Sequence, residues 1–356
     1  MMAKQSVVTV AIIGAGLIGP RHAQSIIRCV GAELSCIVDP SSSARAVAEA
    51  FSVPVFKSIQ EMITHGSKPE AAIVCTPNST HVPVSKELFA AGIHVLVEKP
   101  MSTTIQDGRD LIEAAKISGK HLLVGHHRRF NPYITAAKQA LSSAIIGRPI
   151  ALSGIWALYK PASYFSPPTE WRAQHDGGGV IFINMIHEVD ILHYLFGPIV
   201  RVHAERTKST RGNEAEEGAA IIVCFHSGLV GTFLIVDSCP SSHNFESGTG
   251  ENPTIPQAGK DFIRVFGEEG TLSIGDMVVT KHVENEIKNW ANPLQECRLQ
   301  VGREVPFDEQ IKNFVDVIND KATAKCTGED ALRAIVVCES IKQALADGRS
   351  VDVDTC

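Results

Sequence analysis

The feature that most constrains this chain is a glycine turn near its start. Gly14-Ala15-Gly16-Leu17-Ile18-Gly19 follows an apolar run, Val7–Ile13, and opens an amphipathic one, Leu17–Cys29. Strand, turn and helix are the context that gives such spacing meaning. Gly14 permits the tight turn, Gly16 lets a pyrophosphate approach the backbone, and Gly19 lets helix and strand pack closely. With Leu17 and Ile18 the turn presents backbone amides at a helix start, where the dipole favours phosphate. Pro20 falls in the first turn, where a missing N–H costs little. Asp39 ends the next apolar run, about twenty residues on, where an acid accepts hydrogen bonds from adenosine ribose hydroxyls. A carboxylate there repels a 2′-phosphate, so NAD is the expected cofactor. Ser41, Ser42, Ser43 and Arg45 follow at once and could hold that phosphate, which leaves NADP open. Asp39 before Pro40 also suits an Asx turn.

The first third continues in the same rhythm. Apolar runs at Glu33–Val38, near Val55, and at Ala71–Cys75, His94–Val97 and Leu122–Gly125 alternate with helical patterns at Ser43–Phe51, Ile59–Thr64, Ser79–Ala91 and Ile105–Ser118. Alternation of this kind predicts right-handed βαβ crossovers and a parallel sheet covered on both faces. After the helical stretch Tyr133–Ser143 the pattern changes. Strand-like runs at Ile150–Tyr159, Val200–Thr207, Ala219–His226, Leu229–Val236 and Phe262–Phe266 succeed one another, interrupted by one helix near Val180–Leu195. That order predicts an antiparallel or mixed sheet. The chain returns to helix at Phe307–Asn319 and Gly328–Asp347. Two domains are therefore expected, 1–128 and 129–356. Pro161–Gly179 and the polar stretch Ser238–Lys260 read as loops, the second long enough to be functional or mobile.

Composition bounds the function. The 356 residues are 44% hydrophobic and 20% charged, with a net charge of −6. No broad attraction for nucleic acid or anionic lipid follows from that balance. No apolar run approaches the ~20 residues of a membrane span, and no signal-peptide pattern precedes Gly14, so a cytoplasmic protein is expected. The nine cysteines form no CxxC pair and match no zinc spacing. They read as buried reduced thiols, and no metal site is expected.

Two further segments sharpen the picture. Cys75-Thr76-Pro77-Asn78-Ser79-Thr80-His81 follows the Ala71 strand, and Glu98-Lys99-Pro100 follows the His94 strand. With the glycine turn, His126-His127-Arg128-Arg129-Phe130-Asn131-Pro132, and Gly177-Gly178-Gly179 followed by His187-Glu188-Val189-Asp190, they occur in an order that resembles the Gfo/Idh/MocA family of oxidoreductases, across nearly the whole chain. The resemblance implies a Rossmann domain followed by an α+β domain on a large open, mixed and mainly antiparallel sheet. It also implies a homo-oligomer, dimer or tetramer, because an open sheet needs its outer face covered.

The same resemblance places Thr76, Pro77, Asn78, His81 and Glu98 at the cofactor and Lys99 beside the nicotinamide and the reacting carbon. A lysine ammonium there would stabilise a developing alkoxide. It implies that His187 is the proton acceptor, a role suited to imidazole near neutral pH. Many relatives carry an Asp four residues before this histidine; here the position is Ile183, and Asn184 is a candidate to orient substrate in its stead. Asp190, Trp171, Arg172 and Arg128 are further substrate-site candidates. The expected activity is hydride transfer between a nicotinamide dinucleotide and a secondary alcohol or ketone of a sugar, polyol or cyclitol. The alternatives are reduction of another unsaturated group, such as an imine or tetrapyrrole, and a non-catalytic dinucleotide-sensing regulator.

Overall fold

The computed structural model describes residues 7–66, 68–175, 177–283 and 288–354. In chain order the strands are β1 (Val8–Ile13), β2 (Ala32–Val38), β3 (Val55–Phe56), β4 (Ala71–Val74), β5 (His94–Val97), β6 (Leu122–Val124), β7 (Pro149–Ala157), β8 (Ile199–Arg206), β9 (Gly218–Phe225), β10 (Val230–Val236), β11 (Ile263–Gly267), β12 (Gly270–Ile274), β13 (Val278–His282), β14 (Leu294–Arg298) and β15 (Val351–Asp352). The α-helices are α1 (Gly19–Arg28), α2 (Ala44–Phe51), α3 (Ile59–Thr64), α4 (His81–Ala90), α5 (Ile105–Ser118), α6 (Pro132–Ser142), α7 (Ile186–Phe196), α8 (Phe245–Thr249), α9 (Pro306–Ile318) and α10 (Gly328–Asp347). They form two compact units, 1–130 with 304–332, and 131–303 with 333–356.

In the first unit six strands pair in parallel in the order β3-β2-β1-β4-β5-β6. Their residues are mostly buried, as helices on both faces require. Strand order reverses between β1 and β4, and the crevice at the carboxyl ends there is where such sheets bind ligands. The expected division at 128 assigned 304–332 to the second domain. That segment instead folds with the first: Ile311, Phe314, Val315 and Val317 of α9 join the cluster built on Val8, Val10, Ile12 and Ile26. Arg28 grips Asp308 with two bonds of 2.7 and 2.8 Å, tying α1 to α9.

The second unit is built on nine strands in the order β14-β13-β12-β11-β7-β10-β9-β8-β15. Every pairing is antiparallel except β7 with β10. One face carries Leu152, Trp156, Ile221, Phe233 and Ile235 into the core, while Ile222, Val230 and Leu234 of the other stay 40–46% exposed. Gly154 permits the central contact, because a Cβ there would meet the Phe233 ring at 2.3 Å. The stretch Ser238–Lys260, expected as one long loop, contains α8 and is anchored. Phe245 is fully buried against Phe262, and Glu246 accepts the Trp156 indole N–H at 2.8 Å.

Candidate active site

At the carboxyl edge of the first sheet the three glycines meet different surroundings. Gly14 has φ +102°, and a Cβ on it would lie 2.7 Å from the Cys75 carbonyl oxygen after β4. On Gly19 a Cβ would lie 2.2 Å from the Gly14 carbonyl oxygen. Above Gly16 there is open space, with nothing within 4 Å of where a Cβ would stand. That is the cradle a pyrophosphate needs against bare backbone. The start of α1 has no side-chain cap and no acid in its first turn, so its amides and dipole suit an anion. Leu17 is fully exposed in the same turn, and Ile18 is half-buried at the N-cap.

Asp39 closes the turn from β2. Its Oδ2 accepts from Ala15 N at 2.7 Å, and its Oδ1 accepts from Ser41 N at 2.8 Å. Burial favours the neutral acid, but the Ser41 and Ala15 donors outweigh it and hold the carboxyl below its ordinary range. The Asx turn leaves each carboxylate oxygen a second lone pair, able to accept from a further donor. These residues fit a dinucleotide.

After β4, Thr80 Oγ1 donates to the Pro77 carbonyl and bonds to Thr76 Oγ1, shaping the turn through Asn78. His81 is buried, with Nδ1 2.7 Å from the Pro100 carbonyl oxygen and Nε2 2.8 Å from that of Thr76. Its ring thus braces the turn after β4 against the turn after β5. Glu98 is buried at the end of β5; its Oε1 lies 2.7 Å from His22 Nε2 of α1, and Oε2 accepts from Lys99 N at 3.2 Å. Burial pushes its pKa up, but the His22 bond and the nearby charges of His22, His127 and Lys99 hold it at about 2. Gly125 lets β6 pass it closely, for a Cβ there would be 2.9 Å from the Glu98 carboxylate. Lys99 is half-buried beside it. Arg128 is buried in the short 3-10 turn His127–Phe130 of the same unit, where the His127 ring stacks on Phe307.

In the second unit two glycines of the triplet, Gly178 and Gly179, have a steric reason, while Gly177 meets nothing within 4 Å and has φ +80°. A Cβ on Gly178 would strike the carbonyl oxygens of Gln174, Trp171 and Arg172 at 2.4–2.7 Å. One on Gly179 would strike the Glu216 carboxylate at 2.2 Å. Glu216 accepts from Ile181 N at 3.0 Å and so holds the helix start. The helix expected from Val180 opens as a π-turn, Ile181–Met185, before α7. Such widened turns recur at functional sites. Asn184 lies in it half-buried, while His187 and Asp190 follow on α7, buried. Trp171 and Arg172 sit in a 3-10 turn, with the Arg172 guanidinium 4.0 Å above the Tyr164 ring.

Sequence reasoning missed the buried groups around Asn184. Lys160 Nζ donates to Asn184 Oδ1 at 2.6 Å and lies 3.3 Å from Asp237 Oδ2, which Arg211 also pairs with on the other oxygen at 2.6 Å. The available signal was a charged residue close after each of two apolar strands, Lys160 three residues beyond β7 and Asp237 directly after β10. Among the described residues no group of three His, Cys, Asp or Glu side chains could hold a metal ion, and no helix is long and apolar enough to cross a membrane.

Comparison with known proteins places both units. A model of an oxidoreductase family with an NAD-binding Rossmann fold matches residues 8–126, and that of its C-terminal alpha/beta domain matches 138–353. The chain is 26% identical to the 1,5-anhydro-D-fructose reductase of Ensifer adhaerens, over 97% of this chain and 98% of that one. It is 27% identical to the scyllo-inositol 2-dehydrogenase (NAD(+)) of Bacillus subtilis, over 75% and 73%. An Agrobacterium radiobacter oxidoreductase solved with NAD+, L-tartaric acid and magnesium shares the fold with a TM-score of 0.81 at 16% identity, covering 98% of both chains.

Proposed function

Because the chain belongs to the Gfo/Idh/MocA oxidoreductases, enzymes with an NAD-binding first domain, we propose that its substrate is a secondary alcohol or ketone of a sugar, polyol or inositol-like cyclitol. The observation that carries this reading is the convergence at one sheet edge of the open Gly16 cradle, Asp39, the Thr76–Asn78 turn and the Glu98-Lys99 pair. The names of the anhydrofructose reductase and the inositol dehydrogenases among its relatives support the substrate class.

Bound NAD supplies the hydride acceptor or donor. The amides from Gly14 to Gly19 hold the pyrophosphate, and Asp39 takes the adenosine ribose hydroxyls. Glu98, already fixed by His22, sets the backbone of Lys99 through the Lys99 N–H. Lys99 stabilises negative charge growing on the substrate oxygen, and His187 takes or returns its proton. The half-exposed apolar row on the second sheet, Ile222, Val230 and Leu234, supports association with a second copy.

A panel of inositols, anhydrosugars and hexoses, each assayed with NAD+ and NADP+ or their reduced forms, tests the reading. At least one cyclitol or sugar must turn over. Lys99→Met must lower kcat by about 100-fold or more, with NADH affinity within about twofold of the parent. Near-parental turnover in that variant would remove Lys99 from the chemistry.

A further inference from the structure

The second unit holds a lysine that the mechanism above does not use. Lys160 follows β7, is 5% exposed, and has its backbone locked: its N–H donates to the Asp237 carbonyl at 2.9 Å, and its carbonyl accepts from Arg211 Nη2 at 3.0 Å. The Nζ lies 4.7 Å from the centre of the Tyr164 ring and 5.4 Å from that of Trp156. Its shortest bond, 2.6 Å, goes to Asn184 Oδ1 rather than to Asp237 at 3.3 Å. Asp237 is also paired with Arg211 at 2.6 Å, and Arg211 in turn lies 3.7 Å from Glu217, so Lys160 and Arg211 together face two carboxylates. A buried ammonium is costly unless it is paired and hydrogen-bonded, and the closest of its bonds is the one to Asn184.

An ammonium only donates. It therefore dictates which pole of the Asn184 amide faces it: the oxygen turns to Lys160, and the NH2 turns away. Asn184 Nδ2 makes no hydrogen bond among the described residues, and the side chain is half-buried, one turn before His187. We propose that Lys160 is a positioning residue that commits Asn184 to act as a donor, so that the substrate group recognised beside His187 is an oxygen acceptor. This rests on the sugar or cyclitol reading, in which Asn184 orients substrate. A hydroxyl, ketone or carboxylate oxygen satisfies it; an ammonium or amide N–H does not.

The groups facing Lys160 are Asp237 after β10, Glu246 on α8, Arg172 on its 3-10 turn and the Tyr164 ring. Burial lowers its pKa to about 8 against the raising pull of Asp237 and Glu246. An ammonium so poised is sensitive to alkaline pH.

The test pairs kinetics with a readout that needs no turnover. With 15N-asparagine labelling, Asn184→Asp identifies the Asn184 carboxamide signals. Lys160→Met must shift them, and in the parent they must titrate with a midpoint near pH 8. On the best cyclitol or sugar of the panel, Lys160→Met is expected to raise KM about three- to tenfold, the worth of one hydrogen bond, with NADH affinity unchanged. Lys160→Gln, which still donates, must recover most of that loss. Carboxamide signals indifferent to Lys160→Met overturn the inference whatever the activity, as does a parental KM in that variant. A parent inactive on the whole panel instead sinks the substrate reading, and the resonances still decide whether Lys160 controls Asn184.

Discussion

Adding one methyl group at Gly16 and at Gly19 should separate binding from folding. At Gly16 a Cβ meets nothing within 4 Å, and its φ is not in the left-handed region. Gly16→Ala therefore brings no clash and restricts the unfolded chain, worth about 0.4–1 kcal/mol of added stability. For a protein of this size that is a Tm equal to the parent or about 1–3 °C higher. The same methyl fills the cradle and holds the pyrophosphate off the amides. Loss of charge-assisted bonds of about 1.5–3 kcal/mol weakens NADH binding about 10- to 100-fold. At Gly19 the methyl would stand 2.2 Å from the Gly14 carbonyl oxygen, so α1 must move off β1. Gly19→Ala should cost about 1–3 kcal/mol by overpacking. Thermal unfolding without cofactor and fluorescence titration with NADH read the two effects independently. Destabilisation by Gly16→Ala as large as that by Gly19→Ala, or parental NADH binding in Gly16→Ala, would refute the assignment of Gly16 to the pyrophosphate cradle.

Asp39→Asn should lower stability by about 1 kcal/mol, because an amide keeps one acceptor for the two backbone donors at Ala15 and Ser41. The variant should also narrow the preference for NADH over NADPH in direct titrations of both; an unchanged ratio would remove Asp39 from cofactor selection. Glu98→Gln should be less stable than the parent at neutral pH, since the carboxylate that holds His22 is gone. The folded pKa of Glu98 is lowered, to about 2 from an ordinary 4.5, so its contribution is complete above 4.5 and fades as pH falls toward 2. Urea midpoints of the two proteins from pH 7 to pH 3 should converge, from a gap of at most about 3 kcal/mol; a constant gap would count against the ion pair.

What could be read from the sequence was local. The glycine turn, Asp39 and the strand-then-helix rhythm each lie within a short span, and a parallel sheet imposes that rhythm on neighbouring residues. Even the single-turn helix Ile59–Thr64 was legible with the bounds it has. The losses are non-local. The parallel pairing of β7 with β10, which sets Lys160 beside Asp237, joins strands about eighty residues apart with a different order between them. Nothing near Phe307 says that α9 returns to the first unit. In Ser238–Lys260 the polar composition concealed Phe245, whose burial depends on Phe262, and Glu246, whose partner Trp156 lies on β7.

The two units share one device, and it bears on where function is controlled. Groups near the strand ends and in the π-turn are held by a second layer of protein groups: the Asp39 carboxylate by Ala15 and Ser41, the Lys99 backbone N–H by Glu98 and through it His22, the Thr76 turn by His81, and the Asn184 amide by Lys160. Polar groups fixed beforehand lose little freedom when a ligand arrives, which is what makes fixed dipoles effective in catalysis. It follows that residues which never touch ligand can set what the ligand must be. Asn184 is held most strictly, because an amide has two unlike poles and a lysine ammonium can satisfy only one of them. With apolar Ile183 beside it in the π-turn, the character of that position is written by Lys160, twenty-four residues earlier in the chain and on another element.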